Sequence, residues 1–224
     1  INGHAIFNSR IKNLSNIIKK LSLKNIKILY FGKNNIYFEK EKNILKLNIY
    51  KNKYTIKKLK LDTEIELENL ECAIACCIAL KIKEKKIIKI LSKIDNLPGR
   101  LQKINYKKNN STIIIDYAHT PEALEKVLKS MQINNNKPVV VFGCGGERDK
   151  KKRKLMGKIA ANYASRSYIT DDNPRNEDPS NIRKNILKYC SNGIEIPNRK
   201  KAIITAIKNL NKKETLVISG KGHE

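Results

Sequence analysis

The sequence has no long apolar run: no stretch approaches the roughly 20 apolar residues that cross a bilayer. It also lacks a signal-peptide pattern, because residues 1–10 show no basic region followed by an apolar one. These two absences predict a cytoplasmic globular protein without a membrane partner. The chain begins at Ile1 rather than at a methionine and stops at Glu224 in a glycine-rich turn, which predicts a piece cut at both ends.

Cysteine and histidine are too scarce and too scattered for a metal site or a disulfide framework. Three cysteines, Cys72, Cys76 and Cys77, lie in one apolar helical stretch, where we expect buried packing residues in a reducing compartment. Cys144 and Cys190 stand alone, and the three histidines are distant in sequence from every cysteine. Zinc needs ligand pairs at fixed spacing, so we predict no metal ligand.

Acidic residues are also few, 21 against 47 basic ones, and the formal net charge is +26. Such a charge can indicate a nucleic acid or another polyanion as partner. Here the lysines are scattered among asparagine and isoleucine in every segment, and the sequence contains no recognised nucleic-acid motif. The pattern favours a solvated basic surface and no nucleic-acid partner, and a polyanion-binding protein remains the alternative.

The first part of the chain mixes strands with helices. Between residues 24 and 62, the runs IKILYFG, IYFEK, ILKLNIY and YTIKKLKL are separated by turn residues and predict antiparallel strands. Two helices are predicted next, an apolar and buried one over about residues 66–81 and another over about 84–94. Asn96, Pro98 and Gly99 then interrupt every periodicity, so we place a domain boundary between residues 96 and 97.

After Pro98, strands alternate with helices. The predicted strands are STIIID, KPVVVFG, SRSYIT and ETLVISG, and the predicted helices cover about residues 121–131, 152–164, 179–189 and 199–210. Thr120 and Asp178 precede Pro121 and Pro179 as expected helix N-caps. This alternation predicts an α/β domain with an open, mainly parallel sheet and helices on both faces.

Each of these four strands is followed by polar or glycine-rich residues, at the place where open parallel sheets bind ligands. The four segments are Asp-Tyr-Ala-His at 116–119, Gly-Cys-Gly-Gly-Glu-Arg-Asp at 143–149, Asp-Asp-Asn-Pro-Arg at 171–175 and Gly-Lys-Gly-His-Glu at 220–224. Arg148 and Arg175 offer planar forks for carboxylates or phosphates, whereas Asp172, Asn173 and Glu224 offer acceptors for an ammonium group. Both signs at one site suit a zwitterion.

Each segment alone also allows a purely structural interpretation. Asp116 could cap the following helix, His119 could pack in its loop, and residues 143–146 could form a tight turn without a ligand. Neither glycine loop matches the phosphate-binding pattern that ends in Gly-Lys-Ser/Thr. Neither loop alone therefore identifies a nucleotide site.

Taken together, the segments resemble one family. The runs DYAHTPEALEKVL, VVVFGCGGERDKKKRKLMGKIA, TDDNPR and ISGKGHE, preceded by LPGR at 97–100, are similar in order and spacing to the Mur ligases, which extend the peptidoglycan stem peptide. The resemblance is specific over residues 97–224; before it, only residues 67–80 resemble the helix that ends the family's central domain. It implies the end of a central ATPase-type α/β domain at 1–96, followed by an incomplete Rossmann-like Mur ligase carboxyl-terminal domain at 97–224.

The resemblance also implies roles for individual residues. The tetrad at 172–175 resembles the one with which family members recognise meso-diaminopimelate, whereas lysine-adding relatives have another sequence there. The residues implied to bind the incoming amino acid are Arg148, Asp172, Asn173, Pro174, Arg175, Gly220 and Glu224. The residues implied to contact ATP are Asn69, Arg100, Asp116 and His119.

By resemblance, the parent protein is a monomeric ligase that uses ATP and Mg²⁺ to join diaminopimelate to a UDP-linked muramoyl dipeptide. The family's phosphate-binding loop, its carbamylated lysine and its UDP-binding domain have no counterpart here, so we expect residues 1–224 alone to be inactive. Residues 63–66 read Thr-Glu-Ile-Glu where the family usually has Gly-x-Phe-Asn. This departure motivates an alternative, a decayed remnant kept as a binding module; a lysine-adding homologue is a second alternative.

Overall fold

A computed structural model describes residues 3–12, 14–22, 26–42, 44–61, 63–95 and 97–222. The chain divides into two compact units, Ile1–Asp95 (unit 1) and Asn96–Glu224 (unit 2). Within the described ranges, no helix has both the length and the apolarity needed to span a membrane.

Unit 1 contains a parallel strand pair, an antiparallel three-stranded sheet and three helices. Its elements are β1 (His4–Asn8), α1 (Leu14–Ser22), β2 (Lys27–Phe31), β3 (Ile36–Glu41), β4 (Ile44–Ile49), β5 (Asn52–Ile56), α2 (Glu64–Ala79) and α3 (Glu84–Leu91). The predicted antiparallel arrangement is correct for β3, β4 and β5 but wrong for β2, which pairs in parallel with β1. The pairing of β2 could not be predicted because a short apolar run carries no information about its pairing partner. The sequence analysis also missed β1 and α1, and it extended β5 too far.

The start of α2 accounts for the unusual residues 63–66. Thr63 is the N-cap, and its hydroxyl accepts a hydrogen bond from Glu66 N at 3.2 Å. Glu66 Oε2 in turn accepts from Thr63 N at 3.1 Å. This reciprocal capping box satisfies two backbone donors that the first helical turn would otherwise leave without partners.

The apolar helix α2 is buried along one side only. Leu70, Ile74 and Ala75 belong to the core cluster of unit 1, together with buried residues of β2, β3 and β4. The prediction that the three clustered cysteines are buried is wrong for Cys76, which is exposed; Cys72 and Cys77 are only partly buried. At 3.6 residues per turn, positions 72, 76 and 77 fall beside the buried side of α2 rather than on it.

Unit 2 is the predicted α/β domain. Its elements are β6 (Gln102–Tyr106), β7 (Ser111–Asp116), α4 (Pro121–Ser130), β8 (Val139–Phe142), α5 (Lys151–Tyr163), β9 (Arg166–Ile169), α6 (Pro179–Leu187), β10 (Gly193–Glu195), α7 (Arg199–Lys208) and β11 (Thr215–Ser219). They form one six-stranded sheet in the order β10-β9-β8-β11-β7-β6. All pairings are parallel except that of β6 with β7. The predicted open, mainly parallel sheet is therefore confirmed.

Both faces of this sheet are covered. On one face, α7 packs through Ala202 and Ala206 onto Val139, Val141 and other strand residues. Side chains alternate between the faces of a strand, so Val140, which is also fully buried, points to the opposite face. Helix α5 contacts α4 and α6, and both α5 and α6 contact β9.

The predicted helix N-caps of unit 2 are correct, whereas the sequence analysis missed the two edge strands. The hydroxyl of Thr120 accepts from Ala123 N, and the carboxylate of Asp178 accepts from Ser180 N, so both predicted N-caps are confirmed. The missed strands β6 and β10 lie at the sheet edges and are largely exposed, so they lack the continuous apolar run of a central strand. The strand order places the ends of β9, β8, β11 and β7 side by side, which positions the site.

Candidate functional site

A cavity of about 640 Å³ lies at the carboxyl ends of these strands in unit 2. Of the residues proposed for the amino acid, Arg148, Asp172, Asn173, Arg175 and Gly220 line this one cavity. Its described lining also includes residues to which the sequence analysis assigned no role in binding: Tyr117, Thr120, Pro121, Glu122, Gly145, Asp149, Lys152, Leu155 and Lys221. The cavity therefore presents arginine and lysine together with aspartate and glutamate.

Two loops that follow β8 and β9, residues 143–149 and 171–178, are joined by backbone contacts. Gly146 N donates to Asn173 O at 2.9 Å, and Arg175 Nη1 donates to Gly146 O at 2.7 Å. A Cβ atom at Gly146 would stand 1.8 Å from Pro174 O, so a side chain there would force the loops apart. Glycine at 146 is thus a condition for this approach, and it carries no information about a phosphate ligand.

The tetrad forms a turn held by its own side chains. Asn173 N donates to Asp172 Oδ1 at 2.9 Å, and Arg175 N donates to Asn173 Oδ1 at 3.2 Å. Pro174 does not appear in the described lining of the cavity; it borders a small void beside Cys144, and its carbonyl oxygen accepts from Glu177 N at 3.0 Å. Its observed contacts are those of a backbone support, and the roles of the tetrad in binding remain predictions.

A buried ion pair beneath the two loops was missed by the sequence analysis. Arg153, of which 2% is exposed, donates from both terminal nitrogens to the two carboxylate oxygens of Glu177, each at 2.9 Å. The Arg153 guanidinium, followed by the donated Glu147 N–H, lowers the pKa of Glu177 to about 2. No sequence signal separates Arg153 from its neighbours, because it lies within the basic run at residues 150–154.

The residues proposed to contact ATP are dispersed. His119 lines the cavity, with Nδ1 3.0 Å from Tyr117 O. Asp116 is buried and accepts from Leu101 N at 2.9 Å and from Ala118 N at 2.8 Å, so its observed partners are backbone groups. Arg100 is exposed and stacks over the ring of Tyr117, with 4.5 Å between its guanidinium carbon and the ring centroid.

Asn69, His223 and Glu224 are not among the described residues that line the cavity. Asn69 lies on the exposed side of α2 in unit 1. His223 and Glu224 fall outside the described residues, so the proposed role of Glu224 has no structural description. Within the described ranges, no group of three or more histidine, cysteine, aspartate or glutamate residues could hold a metal ion, and we assign no Mg²⁺ ligand to this chain.

Comparison with known proteins gives a consistent result. The family model "Mur ligase, glutamate ligase domain" matches residues 99–222. A UDP-N-acetylmuramoyl-L-alanyl-D-glutamate–2,6-diaminopimelate ligase of Rickettsia bellii is 41% identical over 232 residues, covering 99% of this chain and 48% of the relative. The corresponding ligase of Caulobacter vibrioides is 39% identical over 168 residues, covering 75% of this chain and 35% of the relative.

Two solved structures are similar to this chain. A solved 2,6-diaminopimelate ligase aligns over 99% of this chain and 48% of its own, with a TM-score of 0.55 and 28% identity. A Mycobacterium tuberculosis folylpolyglutamate synthase solved with ADP aligns with a TM-score of 0.74 at 15% identity, over 97% of this chain and 52% of its own, a likeness of fold alone. The chain spans about half the length of the curated Rickettsia bellii relative.

The ion pair beneath the loops makes a prediction for acid stability. The pKa of Glu177 falls from 4.5 to about 2 in the folded chain, so its ionised form stabilises the fold above pH 4.5 and this contribution is lost as pH falls through about 2. We expect the difference in urea midpoint between the unmodified chain and Glu177→Gln to be largest near neutral pH and to narrow below pH 4.5. A difference that stays constant down to the lowest pH would contradict the assigned pKa.

Proposed function

Since this chain belongs to the Mur ligase family, we propose that it is the amino-acid-binding part of an ATP-dependent ligase that adds meso-diaminopimelate to UDP-N-acetylmuramoyl-L-alanyl-D-glutamate. The observation that supports this proposal is the convergence of Arg148, Arg175, Asp172 and Asn173 on one cavity at the strand ends. The ligase activity, the substrates and a monomeric state belong to the proposal for the parent protein, because the chain spans about half of its relatives.

The charges of the cavity fit one end of a diaminopimelate molecule. The guanidinium groups of Arg148 and Arg175 would receive a carboxylate, and five N–H donors on each fork leave capacity beyond the bond from Arg175 to Gly146. The Asp172 carboxylate, whose side chain is 17% exposed and lies 3.7 Å from Lys221 Nζ, would accept an ammonium group. Held at one zwitterionic end, the ligand would present its other amine outward.

In the proposed reaction, the D-glutamate carboxylate of the UDP-linked dipeptide is phosphorylated by ATP to an acyl phosphate. This phosphorylation forms ADP. The free amine of diaminopimelate then attacks the carbonyl carbon of the acyl phosphate, and the tetrahedral intermediate collapses by breaking the bond to phosphate, which gives the amide and free phosphate with loss of a proton from the amine nitrogen. Mg²⁺, when bound, supplies charge neutralisation. The contribution of this chain is to bind and orient the amine, which replaces an encounter in solution with a held geometry.

Two alternatives receive less support from the structure. The capping box at residues 63–66 accounts for the sequence that motivated a decayed remnant, without invoking decay. A polyanion-binding role still depends only on the net charge of +26.

The choice between diaminopimelate and lysine is the first test of the proposal. With its α-amine facing outward for attack, lysine would place in the cavity its side-chain end, which has an ammonium group but no carboxylate. A charge-assisted hydrogen bond to an arginine contributes about 1.5–3 kcal/mol, so we expect diaminopimelate to bind at least about tenfold more tightly. Isothermal titration of the 224-residue chain with each amino acid measures the difference. Equal or tighter binding of lysine would favour the lysine-adding alternative.

The proposed role of Arg175 predicts that a lysine there replaces it poorly. A point charge on a flexible stem cannot reproduce the planar fork, so Arg175→Lys should weaken diaminopimelate binding by about 1.5–3 kcal/mol in free energy. Thermal unfolding should change little, since Arg175 is exposed. The matched control is Arg166→Lys at the start of β9, outside the described lining of the cavity; an unchanged affinity in Arg175→Lys would refute the role.

Residues 1–224 alone should show no turnover. Neither glycine loop, at 143–146 or at 220–222, has the sequence that cradles β- and γ-phosphates. We therefore expect no ADP release when the chain is incubated with ATP, Mg²⁺, diaminopimelate and the UDP-linked dipeptide. The same assay on a complete diaminopimelate-adding ligase is the positive control, and ADP release by the chain that requires the dipeptide would overturn this expectation.

A further inference from the structure

We infer that Arg153 and Glu177 form a positioning pair that holds the loops at 143–149 and 171–178 in the one arrangement able to bind the amino acid. The inference rests on the proposed function, because it assumes that the cavity between these loops receives diaminopimelate. Neither residue belongs to the described lining of the cavity, so the pair would act through the residues it supports.

The pair connects a helix to both loops. Arg153 lies in the first turn of α5, and besides its two bonds to Glu177 its Nη2 donates to Gly145 O at 3.3 Å. The Glu177 carboxylate also accepts from Glu147 N at 2.6 Å. The backbone N–H of Glu177 donates to Pro174 O at 3.0 Å, so the residue that carries the carboxylate is also joined to the tetrad through its backbone. The side chains of this ion pair thus contact two backbone groups of the loop at 143–149, Gly145 O and Glu147 N.

The loops need such support because each contains a strained residue. Glu147 and Arg175 both adopt φ of 50°, in the left-handed region that side chains other than glycine, asparagine and aspartate rarely occupy. Such backbones persist only where the surroundings hold them. The Glu147 N–H is fixed by Glu177, and Glu147 Oε1 accepts from Asn176 Nδ2 at 2.8 Å. The strained residue opposite, Arg175, is the one proposed to bind a ligand carboxylate.

Burial makes the pair sensitive to change. The Arg153 side chain is 2% exposed and that of Glu177 is 19% exposed, so removing one charge leaves the other poorly solvated. The loops would then relax from the arrangement that aligns Arg148 and Arg175. Misalignment of either arginine would weaken a charge-assisted hydrogen bond to the ligand, which raises the dissociation constant by about tenfold or more.

A second ion pair in the same unit provides a matched control. Arg166, at the start of β9, pairs with Glu214, whose carboxylate also accepts from Asn211 N. This pair is partly buried, but it lies at the amino ends of the strands, opposite the cavity. Glu214→Gln should therefore lower the melting temperature and leave the site unchanged.

The test compares Glu177→Gln, Arg153→Lys and Glu214→Gln in the 224-residue chain. Titration with meso-diaminopimelate, far below each melting temperature, should show a dissociation constant raised about tenfold or more in the first two variants. Glu214→Gln should bind as tightly as the unmodified chain. A pair with a merely structural role would lower the melting temperature of Glu177→Gln and leave its affinity unchanged, and that result would overturn the inference.

Hydrogen exchange separates this inference from the proposed function. Amide exchange should accelerate at residues 143–149 and 171–178 in Glu177→Gln, and not in Glu214→Gln. If the unmodified chain binds no diaminopimelate, the proposed function fails, and the exchange result alone decides whether the pair holds the loops. Unchanged exchange in both loops of Glu177→Gln would overturn the positioning role whatever the ligand.

Discussion

The site depends on one backbone contact, the approach of Gly146 to Pro174. A Cβ atom at 146 would lie 1.8 Å from the Pro174 carbonyl oxygen, so the two loops can meet only where one of them has no side chain. This approach brings Gly146 N to Asn173 O and Arg175 Nη1 to Gly146 O. Because the loops follow neighbouring strands, they begin side by side at the edge of the sheet. The absence of a Cβ atom at Gly146 then allows the two backbones to come into contact. The orientation of the Arg175 fork follows from this contact.

The contact accounts for the glycines of the loop at 143–149 by the approach of another backbone segment. Glycines after a strand often let a backbone approach an anion. In this unit the approaching group is the carbonyl oxygen of Pro174, and Gly143 is similarly close to Thr170 O, at 2.3 Å from an added Cβ. The glycines therefore shape the cavity by allowing loop to meet loop. Side chains on either side of that seam, Arg148 and Asp172 among them, then supply the charges.

Much of unit 2 could be predicted from sequence, because its signals are local. Continuous apolar runs identified the central strands, and Thr120 and Asp178 marked helix starts by their own chemistry. The parallel pairing of β1 with β2 could not be predicted in this way, since pairing is settled by tertiary contacts. The Arg153–Glu177 pair could not be predicted either, because nothing in the sequence distinguishes a buried arginine from the basic residues next to it. The capping box at Thr63 follows the Thr-x-x-Glu spacing, so it could have been predicted from the sequence alone.

Any selectivity of this cavity among anions has to operate within the positive electrostatic field of a very basic chain. With a net charge of +26, nearly any anion is attracted to the surface, and attraction alone cannot distinguish a diaminopimelate from a phosphate. The acidic side chains in the cavity lining, Glu122, Asp149 and Asp172, oppose that field locally. An anion without an ammonium group would meet these carboxylates as like charges, whereas a zwitterion would interact favourably with both the acidic and the basic side chains. Discrimination of this kind requires that the charges be held at fixed separations, since a flexible cluster could rearrange around either ligand. The tight seam between the two loops, and the buried ion pair beneath it, meet that requirement.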